Sequence, residues 1–395
     1  TLHVPDLATY QAMHDRSIRD PEGFWGDVAK GFHWFKPWSQ FSKEHDALTP
    51  AISKLLTSSP LDPAALPALA KMTKVYGTRL TTSSYLKSLK YMPQALKEVI
   101  SIHTLNAGVS PNRSLALYAS MTAAMATQGI SVPVGGVNEI ALALSRLAVA
   151  AGAKIELGAG VEAIGKRAVF TQARDYSFDH LVSSLDPGVL KAIQTGKPNK
   201  LAKHRSCSGV AIYAVLKESL PDNLATHSVI MPDDAEKLHH SLDHALPPEQ
   251  TMTFVNYYRA GEIYPNTKDT VAVLITAPAD GKKHDLNSEW VRNELDRVSQ
   301  KLGLKVAIDE LFEQYEVLNP DYFAQFGAAG GALYGATTPL WQSGPFHNPQ
   351  YHNPLRPRLW RVGASVHPGG GIPAVLGGTL IANRAMLRKI GKPKK

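Results

Sequence analysis

The residues best placed for chemistry lie near the end of the chain. Gly363-Ala364-Ser365-Val366-His367-Pro368-Gly369-Gly370-Gly371-Ile372-Pro373 is a turn that joins an expected strand, Leu359 to Val362, to an expected helix, Ala374 to Lys389. A strand, a glycine-rich turn and a helix together make an anion cradle. Amides at a helix start have no partner within the helix, and the helix dipole places partial positive charge there. Glycine lets the backbone approach a ligand closely, and Gly369, Gly370 and Gly371 sit where a ligand would need room. Pro373 suits a first helical turn, where its missing N–H is not required. A tight strand-to-helix connection that holds nothing is the alternative reading of the same residues.

Other reactive side chains give weaker patterns. His240 and His244, with His239 and Asp243, have the i, i+4 spacing that puts two metal ligands on one helix face. Their surroundings, Asp233-Asp234 to Pro247, read as a solvated surface helix, so no metal site is assigned. His367 is the histidine beside the glycine turn. It reads as a hydrogen-bonded loop residue before it reads as an acid or base, and no catalytic residue is assigned. Cys207, the single cysteine, precedes an apolar strand and reads as a buried, inert thiol. Neither a Ser-His-Asp spacing nor a phosphate-binding P-loop stands out.

The elements that must position these residues follow from periodicity. Tyr10 to Arg19 reads as a short helix stopped by Asp20-Pro21, with a second helix from Pro21 to Lys30. Tyr10, Phe24, Trp25, Phe32, Trp34, Phe35 and Trp38 read as an aromatic clamp that docks this segment on a neighbour. Ala64 to Lys74 and Tyr85 to Ile102 carry apolar residues at three- and four-residue spacing, as helices do. This stretch is also basic: Lys71, Lys74, Lys87, Lys90 and Lys97 stand among Met72, Tyr76, Tyr85, Leu86 and Met92. Such a face can lie on anionic lipid, so residues 71–97 are an expected peripheral membrane contact; an ordinary helix with a solvated lysine face is the alternative. Val132 to Val137 leads into a helix ended by Gly152 as a left-handed cap. Strands are expected at Lys154 to Leu157, Val161 to Ile164, Ala168 to Ala173 and His180 to Ser184, an α/β pattern. Val210 to Leu216 and Val271 to Thr276 read as buried strands, and Trp290, Val291, Leu295, Val298 and Leu302 as one face of a helix.

Bulk properties narrow the function classes. The 395 residues carry a net charge of +8, which suits an anionic surface or phosphate ligands. Without arginine-rich runs or zinc-finger spacing, nucleic acid is not expected as a partner. One cysteine excludes an internal disulfide, and a reducing compartment is the natural default. No stretch approaches the ~20 apolar residues of a membrane span. The opening Thr1-Leu2-His3 reads as a trimmed, fused or fragmentary terminus.

The spelling of the C-terminal motif goes further. Leu359-Trp360, Gly363 and Pro368-Gly369-Gly370-Gly371-Ile372-Pro373 resemble the flavin-contacting end of phytoene desaturases and related carotenoid desaturases and isomerases. Upstream blocks resemble the same family in the same order. They are His103-Thr104-Leu105 with Gly108 and Pro111; Gly135-Gly136-Val137 with Gly152-Ala153-Lys154-Ile155; Ser206-Cys207-Ser208-Gly209; and Gly330-Gly331-Ala332-Leu333-Tyr334-Gly335 with Gln342 to Phe346. The resemblance covers residues 41–395. The family's opening strand, GxGxxG turn and helix, which grip the FAD diphosphate, have no counterpart near the start of this chain. Residues 9–40 resemble instead the N-terminal segment of acetyl-coenzyme A synthetases, through Tyr10, Ser17, Asp20-Pro21-Glu22-Gly23-Phe24-Trp25 and His33 to Trp38.

The resemblance implies a mixed α/β, Rossmann-like FAD/NAD(P)-binding flavoprotein fold of the amine-oxidase kind, incomplete at its N-terminus, with an interleaved substrate domain. Residues 1–40 form an aromatic extension and 41–130 a helical substrate or membrane side. Residues 131–204 form a nucleotide side, 205–354 a substrate-domain sheet with helices, and 355–395 the flavin-side strand, turn and helix. The implied cofactor is FAD, with Gly363, Gly370, Gly371, Ile372 and Pro373 on the flavin and Val161 where the family's backbone meets adenine. The implied activity is desaturation or isomerisation of a carotenoid or similar apolar isoprenoid, in the cytoplasm or at a membrane surface. A non-catalytic protein for apolar ligands or interactions, derived from that fold, is the alternative.

Overall fold

The computed structural model describes residues 6–20, 41, 45–59, 62–121, 133–197, 202–337, 347 and 350–391. The expected aromatic clamp beyond Tyr10, the helix from Pro21 to Lys30 and the block Gln342 to Phe346 lie outside the described residues. The leading helix, Leu7–Arg19, is capped by Asp6, whose carboxylate accepts from the Thr9 amide at 2.7 Å.

Residues 45–121 form a helical lobe. Its helices are Thr49–Thr57, Leu66–Tyr76, Thr82–Ser88 and Gln94–Ile102. The single helix expected from Tyr85 to Ile102 is two helices. Proline has no N–H for the ladder and disfavours helical geometry in the residue before it, so the first helix stops at Ser88 and the second starts after Pro93. Met72, Tyr76, Tyr85, Leu86 and Met92 pack with Leu48, Ile52 and Ile100 in one buried cluster. This corrects the basis of the expected membrane contact through 71–97. Those apolar side chains fill the core of the lobe, while Lys71, Lys74, Lys87 and Lys90 are exposed. Among the described residues no helix is long and apolar enough to cross a membrane.

The segment 133–197 begins with the helix Asn138–Ala150, closed by Gly152 at φ +91° as expected. The strand expected at Lys154 to Leu157 does not form. A strand needs a hydrogen-bonded neighbour, none pairs with this run, and Leu157 stays 91% exposed. Strands β1 (Val161–Ile164), β2 (Ala168–Thr171) and β3 (Asp175–Ser177) form an antiparallel meander. Strand β4 (Leu181–Ser183) then leads into the helix Pro187–Thr195, whose N-cap Asp186 accepts from the Gly188 amide at 2.8 Å.

The second large body is an antiparallel sheet. Its strands are β5 (Ser208–Leu216), β6 (His227–Ile230), β7 (Thr253–Tyr258), β8 (Thr270–Ala277) and β9 (Phe312–Leu318), in the order β6-β7-β8-β5-β9. The helix Glu289–Leu302 lays Val291, Leu295 and Val298 against Val210, Ile212, Val273 and Ile275, all buried. Glu294 of the same helix is only 2% exposed, and it is fully engaged. Arg297 donates to it twice, at 2.9 and 2.6 Å, and Thr253 Oγ1 donates at 2.6 Å. Arg297 also caps the carbonyls of Met231 and Thr251.

Strand β10 (Leu359–Arg361) returns to pair parallel with β4, Leu359 opposite Leu181 and Arg361 opposite Ser183. The final helix, Ile372–Ile390, packs closely on the helical lobe at Gly377 and on the loop that precedes it at Gly378. A Cβ at Gly377 would stand 2.3 Å from the Leu56 carbonyl oxygen, and one at Gly378 would stand 2.9 Å from that of His367.

Candidate functional site

The glycine turn occupies the position its sequence implies, between the end of β10 and the start of the helix Ile372–Ile390. Val362 donates to the Ser183 carbonyl at 3.0 Å, which carries the parallel ladder to the lip of the turn. Gly363 follows at φ +93°, with the Ser184 carbonyl so near that a Cβ there would meet it at 3.3 Å. Gly369 and Gly371 take φ of +125° and +89°, and a Cβ at either would meet nothing within 4 Å. The backbone is therefore open at two glycines beside a helix start, as an anion or a flat ring would require. Ile372 and Pro373 form the first helical turn.

Blocks far apart in sequence converge here. Cys207 donates its amide to Gly108 and Ser206 donates to Gly335, at 2.8 and 3.0 Å. Leu333 donates to Cys207 at 3.1 Å, and the Tyr334 amide to Ser206 Oγ at 2.9 Å. Gly335 is the meeting point of three segments, since a Cβ there would lie 3.2 Å from Asp186 Oδ2 and 3.4 Å from Ser365 Oγ. Tyr334 is the residue that sequence reasoning missed. Its ring lies against Gly370, where a Cβ would come within 2.0 Å of Cδ1. The sequence places it in the family-like block Gly330 to Gly335 without giving it a role. Val161, by contrast, stands at the exposed start of β1, in a separate sheet from the turn.

The electrostatics of the region are unusual. His180 Nδ1, Asp186 Oδ2, Trp360 Nε1, Arg361 Nε and His367 Nε2 are buried without a hydrogen-bond partner among the described residues. They lie on β10, immediately before β4, or in the loops that follow the two strands. Buried polar atoms are normally paired, so five around this two-stranded sheet mark a region with hydrogen-bonding capacity to spare. Burial, and secondarily His347, pushes the pKa of His367 down to about 4, so it is neutral at physiological pH. Tyr351 donates its hydroxyl to the His367 carbonyl at 2.7 Å, and burial raises its own pKa.

The weaker patterns resolve as structure. His240 and His244 stack with ring centroids 4.2 Å apart, and His244 Nδ1 meets the His240 carbonyl at 2.8 Å. Asp243 is engaged by Arg113 at 3.0 Å. No group of three metal-ligating side chains occurs among the described residues. Cys207 is buried, its thiol pushed up to about 12 by desolvation, which is the inert state expected.

This arrangement has a counterpart among solved structures. Cyclohexylamine oxidase from Brevibacterium oxydans IH-35A superposes with a TM-score of 0.50 over 91% of this chain and 76% of its own, at 14% identity. The chain has a mixed α/β flavoprotein fold of the amine-oxidase kind. Sequence relatives are more particular. The 4,4'-diapophytoene desaturase (4,4'-diaponeurosporene-forming) of Staphylococcus aureus strain MRSA252 is 25% identical over 349 residues, 79% of this chain and 69% of that protein. The zeta-carotene-forming phytoene desaturase of Myxococcus xanthus is 28% identical over 321 residues, 75% of this chain and 60% of that protein. Residues 10–50 match a different family, described as the acetyl-coenzyme A synthetase N-terminus. Both resemblances read from the motifs are thereby found.

Proposed function

We propose that this chain serves FAD-dependent desaturation or isomerisation of a carotenoid or similar isoprenoid. The observation that carries the reading is the glycine turn, open at Gly369 and Gly371, between a parallel strand and a helix, in a chain related to phytoene and diapophytoene desaturases. The residues present suit the ring end of a flavin. Gly363, Gly370, Gly371, Ile372 and Pro373 would hold it, and the unpartnered atoms of Trp360, Arg361 and His367 could satisfy its polar edge. Val161 is the proposed adenine-side backbone.

A bound flavin supplies the hydride-accepting chemistry. The task of the chain is to hold an apolar chain against it and to keep water out. The Tyr334 ring lies against the turn at Gly370, and its amide is held by Ser206, just before β5. His367, neutral and buried, can offer a hydrogen bond without bringing a full charge into the site. The test is a titration of the purified chain with FAD, followed by absorbance between about 350 and 500 nm. Uptake should produce a structured flavin spectrum, and Gly371→Val should abolish it. A chain that takes up no FAD would refute the cofactor assignment.

One observation favours a second reading, a non-catalytic protein for apolar ligands. The Tyr334 ring already fills the space beside Gly370. On that reading Tyr334→Ala opens a cavity that binds apolar dyes, while FAD uptake is absent from both proteins.

A further inference from the structure

A cavity of about 520 Å³ opens at the opposite end of the two-stranded sheet from the glycine turn. Leu181 and Leu359, the first residues of β4 and β10, lie in its wall, whereas Gly363 follows the last residues. At a strand rise of ~3.3 Å per residue, the two ends are roughly 13 Å apart. The β1–β2 turn at Ile164 and Gly165 also lines it, at the far end of β1 from Val161. It is therefore a different place from the proposed flavin turn and from the proposed adenine contact.

The lining has two characters. Phe178, Leu181 and Leu359 make an apolar floor, and Lys166, Arg356 and Arg358 stand around it with no Asp or Glu among the lining residues. Arg356 donates to Gln194 Oε1 at 2.5 Å, which fixes its guanidinium at the rim while leaving most of its donors free. Arg361 lies close by: its pKa is lowered by burial and, next, by the charge of Arg356. Concentrated like charge around an apolar hollow is costly unless an anion neutralises it, and the guanidinium fork matches phosphate oxygens two at a time.

We propose that this cavity binds a phosphate ester carrying an apolar group, the phosphate between Arg356, Arg358 and Lys166 and the hydrocarbon against Phe178, Leu181 and Leu359. A soluble phosphate monoester and a phospholipid headgroup share that chemistry.

The test is calorimetry on the full chain with octyl phosphate below its micellar concentration, alongside octanol and inorganic phosphate. Octyl phosphate binds at least about tenfold more tightly than either, because each lacks one half of the recognition. Arg356→Gln and Arg358→Gln each weaken it about tenfold or more, as loss of a charge-assisted hydrogen bond predicts. Phe178→Ala weakens octyl phosphate without changing the response to inorganic phosphate. Unchanged circular dichroism establishes that the variants are folded. Added FAD leaves the octyl phosphate affinity untouched. Co-sedimentation with phosphatidic acid vesicles, lost in the arginine variants, assigns the lipid source; binding of octyl phosphate without co-sedimentation assigns a soluble ester. Equal affinity for octanol or inorganic phosphate, wild-type binding by both arginine variants, or competition by FAD overturns the proposal.

Discussion

Acid should unfold this protein through histidines that fold in the neutral state, and His45 allows the effect to be isolated. It is fully buried in the helical lobe, with Nδ1 2.5 Å from Ser120 Oγ, Nε2 2.9 Å from Tyr85 OH and its ring 4.1 Å from that of Phe41. Burial holds its pKa down from 6.5 to about 4. The sign follows directly. The unfolded chain binds a proton more readily than the folded one, so the stability this group contributes is complete above about pH 6.5 and is lost as pH falls toward 4. At pH 5 the unfolded imidazole is protonated about thirtyfold over its neutral form while the folded one is still mostly neutral, a loss of about 2 kcal/mol from this one residue. His239 and His367 are held near 4 by the same cause and add to the decline. Urea unfolding at pH 7.5, 6 and 5, followed by circular dichroism, measures it. His45→Gln removes the titrating group but keeps hydrogen-bonding capacity. It should be less stable than the wild type at pH 7.5 by about 1 kcal/mol, and the difference should vanish or reverse at pH 5. Curves for the two proteins that run parallel from pH 7.5 to pH 5 would refute the reasoning.

The remaining predictions concern packing and reactivity. Arg297→Ala leaves the Glu294 carboxylate buried without its cation and should cost about 3–5 kcal/mol in chemical denaturation. Gly377→Ala drives a methyl group into the Leu56 carbonyl and should cost about 1–3 kcal/mol, read as a lowered melting temperature, although alanine is the better helix former. Cys207 should react with a thiol reagent only after denaturation, because its thiol is buried and pushed up to about 12; rapid labelling of the native chain would contradict this.

The sequence determined what depends on neighbours along the chain. The glycine turn, Gly152 as a helix cap and the buried stripe of Val291, Leu295 and Val298 were legible because backbone freedom and helical periodicity are local properties. Residue types in family order identified the relatives for the same reason. The tertiary structure alone decided which faces are covered. Met72, Tyr85 and Met92 look like a lipid-facing stripe until the other helices of the lobe enclose them. Lys154 to Leu157 has the letters of a strand but no neighbour to complete its ladder. Tyr334 against Gly370, and Lys166 in one cavity wall with Arg356, join residues separated by long stretches of chain. Such contacts are set by how the three sheets and the helical lobe pack, and no periodicity in the chain encodes them.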